Sequence, residues 1–170
     1  HRYGYGDNTI NLTGFYPVLC VQENGEYYLN NYYKSGDPFY SNVADYFVCL
    51  TLPSELIVAS SMSPTSVKYL GNFTRYNYQR FNVRDIAFIM SKKFNVMQKK
   101  VSDITVNYYY FKDKTPEKSL NTAVENITWF SNNFYKYPYK EYVVCESDFI
   151  YGGMEYPCLS MIDCTLLGFD

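Results

Sequence analysis

The chain has 170 residues, a length that fits one domain or two small domains. Its formal net charge of -2 gives no surplus of positive charge to neutralise phosphates, which argues against nucleic acid as a partner. The only histidine is His1, so the fold lacks the imidazole that a Ser-His-Asp triad, a Cys-His pair or a two-histidine zinc site requires. The composition therefore excludes histidine-dependent catalysis by this chain alone.

The aromatic content, with 21 Tyr and 12 Phe, favours strands over helices because these rings pack well on pleated surfaces. The cysteines are odd in number and form no CxxC pair, so a zinc knuckle is not expected. Their scattered positions on strand-like segments are typical of small buried hydrophobic residues, with disulfides as the alternative. The five are Cys20, Cys49, Cys145, Cys158 and Cys164.

The first part of the chain, up to residue 97, consists of strand patterns separated by turn signals. Asn24-Gly25 is typical of a hairpin turn, and Ser35–Pro38 is a second cluster of turn residues. Apolar residues on both faces of the last strand, near Phe88, indicate burial on both sides. The predicted strands are Val18–Gln22, Glu26–Leu29, Asp45–Leu52, Ile57–Ser60, Tyr69–Gln79 and Asn82–Ser91.

The lysine-rich segment Phe94–Ser102 has the character of a solvated connector, and it predicts a domain boundary between residues 97 and 98. Beyond it, a helix begins at Thr115-Pro116-Glu117, with Thr115 as the cap and Pro116 at the first helical position. Its apolar stripe runs for about five turns, up to Phe134. The strands predicted around this helix are Ile104–Phe111, Glu141–Glu146 and the extended segment Ile150–Ile162. The predicted fold class is therefore β-rich α+β.

The most informative stretch is Gly152-Gly153-Met154-Glu155-Tyr156-Pro157. Paired glycines in an extended segment allow another backbone to approach closely, and a sheet edge can accept a peptide as an additional strand. A carboxylate such as Glu155 at one end of that strand would hold the peptide's α-ammonium group by a charge-assisted bond. The alternative interpretation is a structural Gly-Gly bulge followed by a solvated glutamate.

This stretch resembles the G-[GA]-M-E-[NY] exopeptidase motif of the zinc aminopeptidase family, the membrane alanyl type with a thermolysin-like catalytic domain. The resemblance is to the bacterial form and covers nearly the whole chain in order. Three residues depart from the family pattern: Tyr135 and Cys158 replace glycines, and Tyr156 replaces the asparagine of the animal enzymes. The other matching segments are Asn11-Leu12, Phe15–Val18, Gly36–Tyr40, Ala44–Tyr46, Arg84–Phe88, Phe134–Tyr139, Tyr142–Glu146 and Phe149.

The resemblance implies that residues 1–97 are the later part of an N-terminal β-sandwich domain and residues 98–170 the opening of the catalytic domain. It implies that Gly152, Gly153, Met154, Glu155 and Tyr156 bind the N-terminal end of a peptide substrate. The family's HExxH segment, with its zinc-binding histidines and general base, is absent from these residues. The chain alone is thus expected to hold no metal or cofactor, to contain no catalytic residue and to be inactive, whereas the parent protein would bind zinc. Bacterial relatives of this form suggest an extracytoplasmic or membrane-anchored location.

A second hypothesis is a non-catalytic extracytoplasmic binding or assembly module that keeps a degenerate peptidase fold. Without the rest of a catalytic domain, the apolar face of the helix at residues 116–134 is expected to expose hydrophobic surface and to favour self-association. Other carboxylates show no spacing typical of a paired acid and base, and most are interpreted as strand-end or solvated charges. They are Asp45, Asp85, Asp103, Glu141, Glu146 and Asp148.

Overall fold

The computed structural model describes residues 2–29 and 41–166, and these residues form fourteen strands and one helix. The protein is therefore β-rich α+β, as the composition predicts. The predicted turn at Ser35–Pro38 and the matching segment Gly36–Tyr40 lie outside the described residues. In chain order the elements are β1 (Gly4–Tyr5), β2 (Ile10–Thr13), β3 (Gln22–Glu23), β4 (Glu26–Tyr27), β5 (Ala44–Pro53), β6 (Ile57–Ser60), β7 (Pro64–Leu70), β8 (Phe73–Val83), β9 (Ala87–Ser91), β10 (Asn95–Val101), β11 (Ile104–Tyr110), α1 (Pro116–Asn133), β12 (Glu141–Ser147), β13 (Gly153–Tyr156) and β14 (Leu159–Asp163).

The described strands form three larger sheets and one short hairpin. The central sheet has the order β1-β2-β9-β6, a three-stranded sheet has the order β5-β8-β7, and a five-stranded sheet has the order β10-β11-β12-β14-β13. In the five-stranded sheet β11, β12 and β14 are parallel, whereas both edge strands run antiparallel to their neighbours. β3 and β4 form the hairpin predicted at Asn24-Gly25, where both turn residues have positive φ, as a type I′ turn requires.

The central sheet is covered on both faces. Toward the three-stranded sheet, Ile86 and Phe88 pack in one core with Tyr78. Toward the five-stranded sheet, Ala87 and Ile89 belong to a second core. All five residues of β9 are buried, so the predicted burial of this strand on both faces is confirmed.

Helix α1 packs on the outer face of the five-stranded sheet. Leu120 and Ala123 pack in a third core with Val106 of β11. The helix has 18 residues, which confirms the predicted five turns. Its far end is uncovered, because Phe130 is 54% exposed and Phe134 is 74% exposed. No helix in the described part of the chain is both long and apolar enough to cross a membrane.

The start of α1 is held by a residue that the sequence pattern missed. Thr115 occupies the N-cap position, as predicted, but its side chain makes no capping hydrogen bond. Asp113 instead accepts hydrogen bonds from the Thr115 N–H at 2.8 Å, the Ser119 hydroxyl at 2.6 Å and the Tyr108 hydroxyl at 2.7 Å. Asp113 therefore fixes the chain just before the helix through the N-cap residue and two hydroxyl groups.

Several predicted segments are wrong in detail. Val18–Gln22 is a strand only at Gln22, and Asn82–Ser91 is divided between β8, which ends at Val83, and β9, which begins at Ala87. Tyr69–Gln79 is not one strand, because Gly71, with a φ of 66°, forms the turn between β7 and β8. Phe94–Ser102 is not a connector, because β10 occupies most of it and pairs with β11 over seven residues. The predicted boundary between residues 97 and 98 falls inside this strand. The lysines of β10 lie on an exposed sheet edge, where charge is tolerated as well as it is in a loop.

The segment Ile150–Ile162 folds as a hairpin rather than as one extended run. Pro157 and Cys158 form the turn between β13 and β14, and Cys158 has a φ of 64°. This left-handed conformation favours glycine, so a residue with a side chain is strained at this position.

All five cysteines lie in the described residues, and all are free thiols. Cys145, Cys158 and Cys164 are buried, which confirms the hydrophobic interpretation for these three. Cys20 and Cys49 are exposed, so the same prediction is wrong for them.

Candidate functional site

Strand β13 forms the outer edge of the five-stranded sheet, and its main chain determines what a partner can contact. The Asp163 N–H donates to the Gly152 carbonyl at 2.7 Å, so these two residues form a hydrogen-bonded pair. Such pairs alternate along antiparallel strands, so the main chain of Gly153 and Glu155 points away from β14. The Gly153 N–H donates to the Tyr151 carbonyl at 3.1 Å. The Gly153 carbonyl and both main-chain groups of Glu155 therefore face the open edge.

The side chains of β13 alternate between the core and the open face. Tyr156 belongs to the core between the central and five-stranded sheets, Met154 packs against that core, and the Tyr156 hydroxyl donates to Thr13 Oγ1 at 2.8 Å. Gly153 and Glu155 occupy the opposite face. Glu155 is exposed, and none of the salt bridges among the described residues involves it. Of the residues predicted to bind a peptide, only Gly153 and Glu155 present groups to the open edge.

The two glycines of the motif have different roles. Gly152 has a φ of 82°, a conformation that a residue with a side chain rarely adopts, so it is needed for the backbone to enter β13. A Cβ atom on Gly153 would lie 3.6 Å from the Met161 carbonyl and from Ile162, which is ordinary contact distance. A small side chain at position 153 would therefore fit without a clash. Its missing side chain leaves the edge bare beside Glu155.

A groove of about 360 Å³ lies between α1 and the face of the five-stranded sheet. Ser160 and Ile162 line it, and they are the cross-strand neighbours of Glu155 and Gly153. Lys118 of α1 lines the opposite wall. The groove therefore opens on the same face of the sheet as the Glu155 carboxylate.

The loop that leads into β13 is tied to the N-terminal residues of the chain by Asp148. Its carboxylate accepts hydrogen bonds from Asn8 Nδ2 at 2.7 Å, from the Thr9 N–H at 3.0 Å and from the Asn8 N–H. Burial acts to raise the pKa of Asp148, but these hydrogen bonds outweigh it and lower the pKa below its usual value. Asp148 is therefore ionised at neutral pH and fixes the approach to the motif.

The interpretation of most of the remaining carboxylates as strand-end or solvated charges did not anticipate that Glu146 and Asp85 are buried and that Asp148 is half-buried. Glu146 is completely buried and accepts hydrogen bonds from the main-chain N–H groups of Phe111 and Lys112. Asp85 is also buried, and Asp148 is half-buried. No local pattern distinguishes these residues, because the groups that bind them come from distant parts of the chain.

Within residues 2–29 and 41–166, no group of three or more His, Cys, Asp or Glu side chains is arranged to hold a metal ion. The described side chains thus do not fit a zinc site. A scan against protein-family models gave no match for the chain, and a search of curated proteins gave none either. The geometry of β13 by itself can bind an extended main chain and a cationic group, and the described residues of this edge include no nucleophile aimed at such a ligand.

Proposed function

We propose that this chain is part of a zinc aminopeptidase-like protein and that β13 binds the N-terminal end of a peptide. One observation carries the proposal: β13 is an open sheet edge that presents main-chain groups and the exposed Glu155 together. An extended peptide paired with this edge would form hydrogen bonds with the Gly153 carbonyl and the main chain of Glu155. The Glu155 carboxylate would then bind the peptide's α-ammonium group.

This arrangement would make binding depend on a free amino terminus. Main-chain pairing is indifferent to sequence, so it holds any extended peptide. A carboxylate at the end of the strand adds a charge-assisted bond only when an ammonium group lies opposite it. Acetylation of the peptide removes that charge and leaves the main-chain pairing intact.

The finer architecture belongs to the same proposal. The strands before β10 would be the later part of an N-terminal β-sandwich domain, and the chain from β10 onward would open a thermolysin-like catalytic domain in an extracytoplasmic or membrane-anchored protein. Two sheets packed face to face through one core support the first assignment. Because the described residues do not fit zinc, we derive no hydrolytic step for this chain, and we expect it to bind peptides without cleaving them.

The test is a calorimetric titration with one peptide in two forms, with a free and with an acetylated amino terminus. We expect the free form to bind about tenfold more tightly, since a charge-assisted hydrogen bond contributes roughly 1.5–3 kcal/mol. Glu155→Gln should remove this preference and leave the weaker binding of the acetylated form unchanged. Glu26→Gln is the matched control, because Glu26 is an exposed carboxylate on the separate β3-β4 hairpin. Equal binding of both forms by the unmodified chain would refute the proposal.

The assembly module remains a second candidate, and the exposed end of α1 favours it. Trp129, Phe130 and Phe134 form a cluster of rings with centroids 5.1–5.6 Å apart, and each is more than half exposed. Exposed apolar patches of this kind are typical of interaction surfaces. We expect sedimentation to show concentration-dependent self-association that Phe134→Ser weakens, whereas a monomer at all concentrations would count against this candidate.

A further inference from the structure

A second cavity, also of about 360 Å³, lies near the opposite face of β13, where Tyr156 forms part of its wall. Its lining is aromatic and aliphatic, formed by the rings of Tyr3, Tyr16 and Tyr156 and by Val18. A volume of this size is in the range of small-molecule sites. The peptide-binding proposal makes no use of this cavity, because the open face of Glu155 lies on the other side of the sheet.

Asp85 is the ionisable group in this wall with a free oxygen atom. The residue is only 8% exposed. Both of its hydrogen bonds end on Oδ1, which accepts from the Tyr16 hydroxyl at 2.7 Å and from the Ile86 N–H at 2.7 Å. Its Oδ2 has no partner among the described residues and is not sealed from solvent. Because Asp85 lines the cavity and its Oδ2 is open to it, this oxygen can accept a hydrogen bond from a ligand that displaces water.

Three hydroxyl groups of this wall, those of Thr13, Tyr16 and Tyr156, do not donate to Asp85 Oδ2, because their protons are used elsewhere. The Tyr156 hydroxyl donates to Thr13 Oγ1 at 2.8 Å, and the Thr13 hydroxyl donates to the Arg2 carbonyl at 2.8 Å. Tyr16 donates to Asp85 itself, and burial together with hydrogen bonding to Tyr46 and Asp85 raises the pKa of Tyr16, which keeps its proton in place. Around Asp85, Oδ2 is therefore an acceptor without a donor from these three hydroxyls, which suits a ligand that donates.

We propose that this cavity binds a small organic cation: a primary ammonium group that pairs with Asp85, carried on an aromatic body that packs between the tyrosine rings. The rings favour this class of ligand for two reasons. Their faces attract cations, and their surfaces bury apolar atoms. Arg2 also lines the cavity and already has an interaction partner. Its positive charge opposes the ligand, so its removal strengthens binding.

The experiment is a calorimetric titration of the whole chain with phenethylammonium, compared with the neutral phenethyl alcohol and the anionic phenylacetate. We expect saturable binding of the cation, with the alcohol and the anion weaker by about tenfold or more. Asp85→Asn keeps the acceptor for Tyr16 and Ile86 but removes the charge, and it should weaken binding of the cation by about tenfold. Glu155→Gln removes the same charge from the exposed edge and should leave this affinity unchanged.

Two further variants keep the proposal testable if Asp85→Asn folds poorly. Tyr3→Ala removes one ring from the cavity wall and should weaken binding of the cation several-fold. Because Tyr3 is 63% exposed, this change should not unfold the chain. Arg2→Gln removes a positive charge from the wall and should strengthen binding of the cation. The proposal is overturned if the cation shows no saturable binding, if the alcohol binds as tightly, or if Glu155→Gln rather than Asp85→Asn abolishes binding. None of these results affects the preference for a free amino terminus, so the two proposals fail separately.

Discussion

The two edges of the five-stranded sheet are protected in different ways. β10 is seven residues long and exposes Lys99 and Lys100, so its outer side is positively charged. β13 is four residues long, and its exposed charge is the carboxylate of Glu155. Sheet edges attract additional strands unless charge, short length or a cover prevents pairing. β10 is protected by two lysines, whereas β13 combines short length with a single carboxylate.

The difference shows how two edges of one sheet can differ in their attraction for a peptide. An incoming peptide carries an ammonium group at its first residue, which the lysines of β10 repel and Glu155 attracts. The edges also have different supports, since Met97 and Val101 of β10 pack in the core beneath α1. β13 packs Met154 and Tyr156 in the core shared with the central sheet and is also bonded to Thr13 through the Tyr156 hydroxyl. The predictions below test these supports separately.

The largest effect is expected for Asp148→Ala, because it leaves the donors of Asn8 and Thr9 without their acceptor. We expect a loss of about 2–3 kcal/mol in the free energy of unfolding at pH 7, measured by urea denaturation. The lowered pKa sets the pH dependence: the contribution of Asp148 is complete above its unfolded pKa of about 3.9 and disappears as the pH falls through the lower folded value.

The difference between the unmodified chain and Asp148→Ala should therefore shrink as the pH is lowered from 5 toward 2 (an interval of roughly three units around that value). Asp7→Ala serves as the control, because Asp7 is exposed on the same N-terminal segment. A difference that stays constant over this interval would show that the carboxylate charge does not stabilise the loop.

A smaller effect is expected for Tyr156→Phe, which removes the buried hydroxyl that joins β13 to Thr13 of β2. One buried hydrogen bond contributes about 1 kcal/mol, and the ring that fills the core stays in place. Thr13→Val should cost more, because it leaves the Tyr156 hydroxyl buried without its acceptor. Thermal unfolding of both variants and of the double variant measures the coupling; strictly additive effects would contradict a direct bond.

The smallest change in stability is expected when Lys99 and Lys100 of β10 are replaced together by alanine. Exposed side chains of this kind usually contribute less than about 0.5 kcal/mol. The edge should nevertheless lose its protection and associate at high concentration, which light scattering detects. A matched double replacement of the exposed Lys114 and Lys136, which lie off the strands, should not have this effect. Equal scattering from both double variants would show that the lysines of β10 do not protect this edge.

Local patterns were sufficient where one element determines its own environment. The apolar stripe of α1, the alternation around β9 and the Asn24-Gly25 turn all predict what the structure contains, because side-chain periodicity follows backbone geometry directly. The same reasoning failed at Phe94–Ser102, where exposed lysines occur equally in a connector and on a sheet edge.

The sequence by itself determined the β-rich class, the single helix and the motif Gly152–Tyr156 as the place to examine. Only the tertiary structure decided that β13 is an edge strand, that Tyr156 faces the core while Glu155 faces outward, and that Glu146 and Asp85 are enclosed. The physical reason is separation along the chain. Strand order and the burial of a charge depend on partners such as Thr13 for Tyr156, and no local pattern encodes a contact between residues so far apart.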